Sequence, residues 1–181
     1  DLTEAARAEF VEAQWSWVRD ASDSLHLGPR SIGLPFALPA HRSSPAEYGY
    51  ELARRVRDYA EVANSPIESV EETASVAINR SFEFVPRNHI SGKEIKAIVG
   101  ETSSGDFLVA GPESHAPYSR RFLSARGLFH VLATSQHSQR LVTGAYSSDQ
   151  KASRAFAAEL LAPQRALLDR LAGSSADPET V

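Results

Sequence analysis

Three observations in the sequence predict an α+β fold in which helices pack on a small β-sheet. Segments near both ends carry apolar residues three and four positions apart, which is the spacing of one face of a helix. Between these segments, short runs rich in Val, Ile and Phe flank a turn that contains Ser and Gly, as in a β-hairpin. A length of 181 residues with 42% hydrophobic and 23% charged residues is typical of one compact domain.

Charge and cysteine content argue against several classes of protein. A net charge of -4 provides no general attraction for nucleic acid, so we expect no direct nucleic-acid contact. Cys is absent, which excludes disulfide bonds and thiolate metal sites and favours a cytoplasmic protein. No apolar run reaches the roughly 18 to 20 residues that span a bilayer. Since the chain begins at Asp1 and contains no Met, we expect a processed product or part of a longer polypeptide.

Residues 1–43 are predicted to form an N-terminal helix followed by an extended arm. The helix, over residues 2–26, is indicated by a stripe of Phe10, Val11, Gln14, Trp15, Val18, Ala21 and Leu25. Trp15 and Trp17 are two positions apart and cannot both face one core, so one of them is expected to be exposed. Gly and Pro residues predict the arm, and its apolar run from Ile32 to Leu38 predicts that it packs on the body.

Two Ser-Pro pairs predict helix starts at Ser44 and Ser65. In each, a Ser at the N-cap precedes a Pro at the first helical position and a Glu at the third, which is a capping pattern. The second of these helices is expected to be short, over residues 66–74. In the first helix, three basic residues are predicted to form a solvent-exposed face: Arg54, Arg55 and Arg57.

The middle of the chain is predicted to contain the strands of the sheet. Apolar residues alternate from Val76 to Val85, and β-rich runs follow from Glu94 to Val99 and from Phe107 to Ala110. The last two runs lie on either side of a turn from Thr102 to Asp106. We therefore expect a hairpin at this point.

Further helices are predicted in the C-terminal part of the chain. One, over residues 119–135, is apolar nearly all round and is therefore expected to be the buried central helix. The next runs from Gln150 to Pro163, and another over residues 164–172 ends at Gly173. Residues 173–181 are expected to form a flexible tail.

Two of these helices carry the motifs of a known family. Residues 120–130 read Arg-Arg-Phe-Leu-Ser-Ala-Arg-Gly-Leu-Phe-His, and residues 150–163 read Gln-Lys-Ala-Ser-Arg-Ala-Phe-Ala-Ala-Glu-Leu-Leu-Ala-Pro. They resemble the ImmA/IrrE family of zinc metallopeptidase-like proteins, with its Arg-Phe-x-x-Ala-His-Glu-Leu-Gly-His and Glu-x-x-Ala-Asn-x-Phe-Ala-Ala-x-Leu-Leu-x-Pro helices. The matching positions are Arg121, Phe122, Ala125, Leu128, His130, Phe156, Ala157, Ala158, Leu160, Leu161 and Pro163. The resemblance implies a zincin-like domain over residues 44–172, with a small twisted sheet before the metal helix.

The resemblance also places residues that do not bind metals at the metal-site positions. Arg126 stands where the first zinc-binding His belongs, Gly127 where the catalytic Glu belongs and Gln150 where the third ligand belongs. Arg cannot ligate a metal, Gly cannot act as a base, and an amide oxygen is a poor zinc ligand. Only His130 of the ligand set remains. We therefore expect a vestigial site with no metal, no cofactor and no catalysis by the family mechanism.

Relocated metal ligands are a weaker alternative. His137 lies seven residues beyond His130, about 10 Å along a helix axis, which is too far to share a metal. Asp149 and Glu159 are the other candidates, but Asp149 is adjacent to Gln150 and need not point into the same site. His89 and His115 lie in predicted loops, where no second ligand stands at a metal-like spacing.

The resemblance implies a role in regulation. Active members of the family cleave helix-turn-helix repressors in the control of bacterial or phage mobile elements and of stress responses. With the reaction centre lost, we expect this chain to bind a protein partner, such as a helix-turn-helix regulator, without cutting it. Arg126, His130 and Asp149 are the residues expected to form the pocket for a partner or a ligand. Two alternatives are a metalloprotease with rebuilt ligands and a sensor in which Arg126 holds an anion.

Arg126 is expected to reach the facing helix. A buried guanidinium without partners costs several kcal/mol, so it needs acidic groups, carbonyls, water or an anion. The nearest candidates on the facing helix are Asp149, Gln150 and Glu159. The sequence therefore predicts a charge-assisted link across the former metal pocket.

Overall fold

The structure is a computed structural model that describes residues 2–25, 33–40, 44–88, 95–113, 116–133 and 139–174. Its helices are α1 (Leu2–Ser22), α2 (Pro45–Tyr59), α3 (Val70–Ile78), α4 (Pro117–Ala133), α5 (Ser148–Leu161) and α6 (Gln164–Ser174). Its strands are β1 (Phe82–Arg87), β2 (Ile95–Glu101), β3 (Phe107–Pro112) and β4 (Gln139–Thr143). The predicted α+β class is confirmed. No helix in the described ranges is long and apolar enough to cross a bilayer.

The four strands form one mixed sheet in the order β1-β3-β2-β4. β3 runs parallel to β1 and antiparallel to β2, and β4 pairs antiparallel with β2 at the edge of the sheet. The predicted hairpin between β2 and β3 is confirmed, since the N–H of Thr102 donates to the carbonyl of Asp106 at 2.8 Å. Gly105 supplies the φ of 93° in this turn, a conformation that residues with a side chain rarely adopt. β4 is a strand that the sequence does not predict.

α4 is the central helix, as predicted, and it packs against both the sheet and α5. Ten consecutive residues of α4, from Leu123 to Leu132, are buried. The main core joins this helix to the inner face of the sheet and to α2, α3 and α5. α2 and α5 approach closely because Gly49 has no side chain; a Cβ atom there would clash with the carbonyl oxygen of Ala152. These contacts fix α5 beside α4.

α1 covers the other face of the sheet. Trp17, Ala21 and Leu25 follow one another at intervals of four and pack against Ile98 and Leu108. The central strands β2 and β3 are therefore covered on both faces, by α4 on one side and by α1 on the other.

The predicted stripe of α1 is confirmed at Ala21 and Leu25 and wrong at Trp15, and the prediction that one Trp is exposed is confirmed. Trp15 is 63% exposed, whereas Trp17 is 6% exposed. Val11, which belongs to the same predicted stripe as Trp15, is also exposed. Trp17 therefore takes the place expected for Trp15, beside the Ala21 and Leu25 of the predicted stripe.

The extended arm packs on the body over its described residues 33–40, as predicted. Leu34 and Phe36 contact the main core, and the ring of Phe36 lies 5.6 Å from that of Tyr59. The carbonyl of Ala37 accepts a hydrogen bond from Arg55 on α2.

Of the two predicted helix starts, one is confirmed and one is wrong. α2 begins after Ser44, whose hydroxyl caps the first turn. α3 begins after Ser69, not after Ser65, and continues to Ile78 through residues predicted to begin the first strand. The carbonyls of Ser65 and Ile67 accept hydrogen bonds from arginines of other helices, which holds this segment in a turn.

The end of the described chain also differs from the prediction. α6 continues to Ser174, so Gly173 does not end it. The remainder of the predicted tail, residues 175–181, lies outside the described residues.

Arg57 is buried, which corrects the prediction of an exposed basic face on α2. It is 1% exposed. Its guanidinium donates hydrogen bonds to the carbonyls of Val62, Ala63, Ser65 and Leu160. Arg54 does lie at the surface, where it donates to Glu159 at 2.9 Å. Arg57 thus ties the end of α2 and the following turn to the end of α5.

Candidate functional site

The candidate site lies where α4, β4 and the first turn of α5 meet. Arg126 and His130 are one turn apart on α4, and both are buried. Nη2 of Arg126 donates to Oε1 of Gln150 at 2.5 Å and to the carbonyl of Thr143 at 2.8 Å. Its Nε donates to Oγ of Ser153 at 3.2 Å. A single side chain of α4 therefore joins β4 to α5.

Gln150 enters the site from the first turn of α5, whose N-cap is Ser147. Besides the bond from Arg126, its Oε1 accepts a hydrogen bond from the N–H of Thr143 at 3.0 Å. Its Nε2 donates to the carbonyl of Leu141 at 2.9 Å. An amide oxygen accepts two hydrogen bonds through its two lone pairs. The oxygen at the expected third-ligand position is therefore fully engaged within the protein.

The expected link from Arg126 to the facing helix is confirmed, but the acceptors that hold it are neutral. Asp149 is exposed, and Glu159 accepts a hydrogen bond from Arg54 instead. Burial, together with repulsion from Arg154, lowers the pKa of Arg126 to about 10. The guanidinium remains charged at neutral pH and is solvated by protein dipoles.

Gly127 faces the sheet. A Cβ atom at this position would overlap Cγ2 of Val109 on β3, so α4 approaches the sheet at a distance that only Gly allows. On another side of α4, the ring of Phe129 packs 5.8 Å from Phe156 and 6.2 Å from Tyr48. The glutamate that the resemblance would place at position 127 has no space beside Val109.

His130 is 3% exposed. Burial lowers the pKa of its imidazole to about 4; Arg126 and Arg140 also lower it, whereas Asp149 opposes them. The imidazole is therefore neutral at pH 7. The ring lies edge-on to Phe129, with 5.4 Å between the ring centres.

A metal would need further ligands near His130. Neutral imidazole is the form that binds metals, but structural and catalytic zinc sites use at least three protein ligands. Within the described part of the chain, no group of three or more His, Cys, Asp or Glu residues could hold an ion. The structure does not describe three further histidines: His89, His115 and His137.

An exposed aromatic residue beside the site is not predicted from the sequence. Tyr146 is 85% exposed on the turn between β4 and α5, and the guanidinium carbon of Arg154 lies 5.6 Å from its ring centre. Arg154 also donates to the carbonyl of Ala145 at 3.0 Å, which fixes it to the same turn. The only sequence signal is an aromatic residue within a polar turn, where the ring has little to pack against.

The chain matches no protein-family model, no curated protein and no solved structure. The resemblance to the ImmA/IrrE family therefore rests on the residues of the two helix motifs alone, and these comparisons do not test it.

Proposed function

We propose that this chain is a non-catalytic, zincin-like domain of the ImmA/IrrE type that binds a protein regulator in the cytoplasm without cleaving it. The observation that carries the proposal is the link from Arg126 to Gln150, Ser153 and Thr143. By the resemblance, this link occupies the positions at which active relatives hold zinc. The same resemblance suggests a role in the control of mobile elements or stress responses.

The chemistry of these positions supports the absence of catalysis. A cation at position 126 repels a metal ion, and the oxygen of Gln150 already accepts two hydrogen bonds. The Cβ atom of a general base at position 127 would overlap Cγ2 of Val109, so that side chain would have to move. His130 alone cannot hold a catalytic zinc.

A binding role is supported by the surface next to this link, which we call the Tyr146 surface and define as Tyr146, Asp149 and Arg154. Tyr and Arg are the residue types that most often dominate the energetics of protein interfaces. The stacking of Arg154 on the ring of Tyr146 orders both side chains before a partner arrives. Ordering them in advance reduces the entropy lost on binding.

An anion sensor based on Arg126 is less well supported. The residue is 4% exposed, and its Nε and Nη2 atoms donate to acceptors of β4 and α5. An anion would have to compete with these acceptors for the Nε and Nη2 donors.

The proposal is tested by mixing the purified chain with helix-turn-helix regulators and measuring affinity and cleavage together. We expect binding with the regulator left intact over hours. Replacing Tyr146→Ala or Arg154→Ala should weaken the affinity by about tenfold or more, equivalent to about 1.4 kcal/mol.

Tyr118→Ala is the matched control, because Tyr118 is 77% exposed at the start of α4 and lies outside the Tyr146 surface. This variant should bind like the wild type. Cleavage of the regulator, or equal affinity for the wild type and for both Tyr146 surface variants, would contradict the proposal.

A further inference from the structure

The described sheet has two edge strands, β1 and β4. An edge strand presents backbone N–H and C=O groups that can pair with a strand of another molecule, and proteins generally protect such edges. The two edges of this sheet differ in how they are protected.

The sequence of β1 itself protects this edge against pairing with another strand. Pro86 has no N–H to offer to a further strand, and Glu83 places an exposed charge on the strand. β4 contains neither a Pro nor an acidic residue, and Arg140 is its one charged residue. Beyond its short length and this one charge, its own sequence offers no further protection.

Gln150 supplies hydrogen bonds of the kind that a neighbouring strand would make. Its Oε1 accepts from the N–H of Thr143 at 3.0 Å, and its Nε2 donates to the carbonyl of Leu141 at 2.9 Å. Residues two positions apart in a strand direct their backbone groups to the same side. Gln150 thus pairs with the edge of β4 through one acceptor and one donor.

Arg126 and the N–H of Thr143 together determine which way round the amide lies. Its Nη2 can only donate, so the atom of Gln150 facing it at 2.5 Å must be the oxygen. The amide nitrogen is then directed to the carbonyl of Leu141. Arg126 therefore acts as a positioning residue for the pairing of Gln150 with β4.

We infer that the side chain of Gln150, oriented by Arg126, closes the edge of β4 against pairing with β4 of a second copy of this chain. A second copy is the fitting occupant because two identical edge strands related by a two-fold axis run antiparallel. In a pairing centred on Leu141, Arg140 would face Val142 and Gln139 would face Thr143, so no like charges would meet. This inference uses only backbone pairing and holds whether or not the proposed function is correct.

Amide hydrogen exchange and sedimentation of Gln150→Ala test the inference. In the wild type, the Thr143 amide should exchange at least about tenfold more slowly than an unstructured amide, and the chain should not associate through β4. In Gln150→Ala at low concentration, that amide should exchange at least about tenfold faster than in the wild type. At high concentration the variant should dimerise, and the Thr143 amide should become protected again.

Two further variants separate edge closure from general loss of structure. Gln164→Ala makes the same chemical change on the exposed surface of α6 and should behave like the wild type. Adding Thr143→Pro to Gln150→Ala removes the N–H that faces Gln150, and this double variant should be monomeric.

A folded Gln150→Ala chain that stays monomeric at the highest concentration, or that leaves Thr143 exchange unchanged, overturns the inference. If this variant does not fold, Gln150→Glu replaces it, since the carboxylate keeps the acceptor for Arg126 and Thr143. That variant should be monomeric with Thr143 protected. Whatever the variants do, a wild-type Thr143 amide that exchanges at the unstructured rate also overturns the inference.

Discussion

Nη2 of Arg126 lies 2.5 Å from Oε1 of Gln150, and this contact joins the middle of α4 to the first turn of α5. The same nitrogen reaches the carbonyl of Thr143, so the contact extends to β4. A buried charge is tolerated only where hydrogen bonds replace its hydration. Here neutral oxygens of β4 and α5 provide that replacement. We therefore expect the packing of α4 against β4 and α5 to depend on this one guanidinium.

Replacing Arg126→Ala should lower the free energy of unfolding by about 2 to 4 kcal/mol, because it leaves a buried cavity and deprives the Thr143 carbonyl of its donor. Denaturant titration of the variant measures this loss. Arg154→Ala is the matched control and should cost less than about 1 kcal/mol, since Arg154 lies nearer the surface. An unchanged midpoint for Arg126→Ala would show that the link does not stabilise the fold.

Replacing Gly127→Ala should also destabilise the protein, by about 1 to 3 kcal/mol, although Ala is normally the better helix former. The added Cβ would overlap Cγ2 of Val109 in the core. The control is Gly33→Ala, where nothing lies within 4 Å of the added atom and little change is expected. Thermal unfolding of both variants measures this loss of stability. Equal stability of Gly127→Ala and the wild type would contradict the close approach of α4 to β3.

Acidification should destabilise the protein through His130. The folded state holds its pKa near 4, below the usual 6.5, so the unfolded chain binds a proton that the folded chain does not. The stability contributed by the neutral imidazole is therefore present above about pH 6.5 and is lost as the pH falls towards 4. The full effect is on the order of 3 kcal/mol.

The comparison between the wild type and His130→Leu isolates this effect, because the other histidines titrate in both proteins. The unfolding free energy of the wild type minus that of His130→Leu should fall as the pH falls from 7 to 4. A difference that does not vary with pH would mean that His130 titrates normally in the folded protein.

The two tryptophans should report different environments. After Trp17→Phe, the remaining Trp15 should be readily quenched by iodide, because it is 63% exposed. After Trp15→Phe, the remaining Trp17 should be protected between α1 and the sheet. Equal quenching in the two variants would show that α1 does not dock on the sheet through Trp17.

Local sequence patterns were sufficient to predict several elements of the fold. The start of α2 depends on Ser44 and the residues directly after it, and the β2–β3 hairpin depends on the turn from Thr102 to Asp106. The burial of α4 follows from apolar residues on almost all of its sides. In each case the determining contacts are close in sequence or belong to one helix.

Contacts between distant residues decided the features that sequence reasoning missed. Arg57 is buried among four carbonyl acceptors, and one of them, that of Leu160, lies 103 positions away. The five residues of β4 are too few to show a clear alternation, and the strand is held by β2 on one side and Gln150 on the other. The resemblance placed Gln150 at an expected ligand position, but it gave no indication that Gln150 pairs with β4.

Zinc content measured together with proteolysis tests the central claim most directly. The purified wild type and His130→Ala are dialysed against buffer containing zinc and then against buffer without it, and zinc per chain is determined by elemental analysis. The link between Arg126 and Gln150 predicts far less than one zinc per chain in both proteins and no cleavage of a helix-turn-helix regulator. About one zinc per chain in the wild type, lost together with a measurable peptidase activity in His130→Ala, would contradict the account.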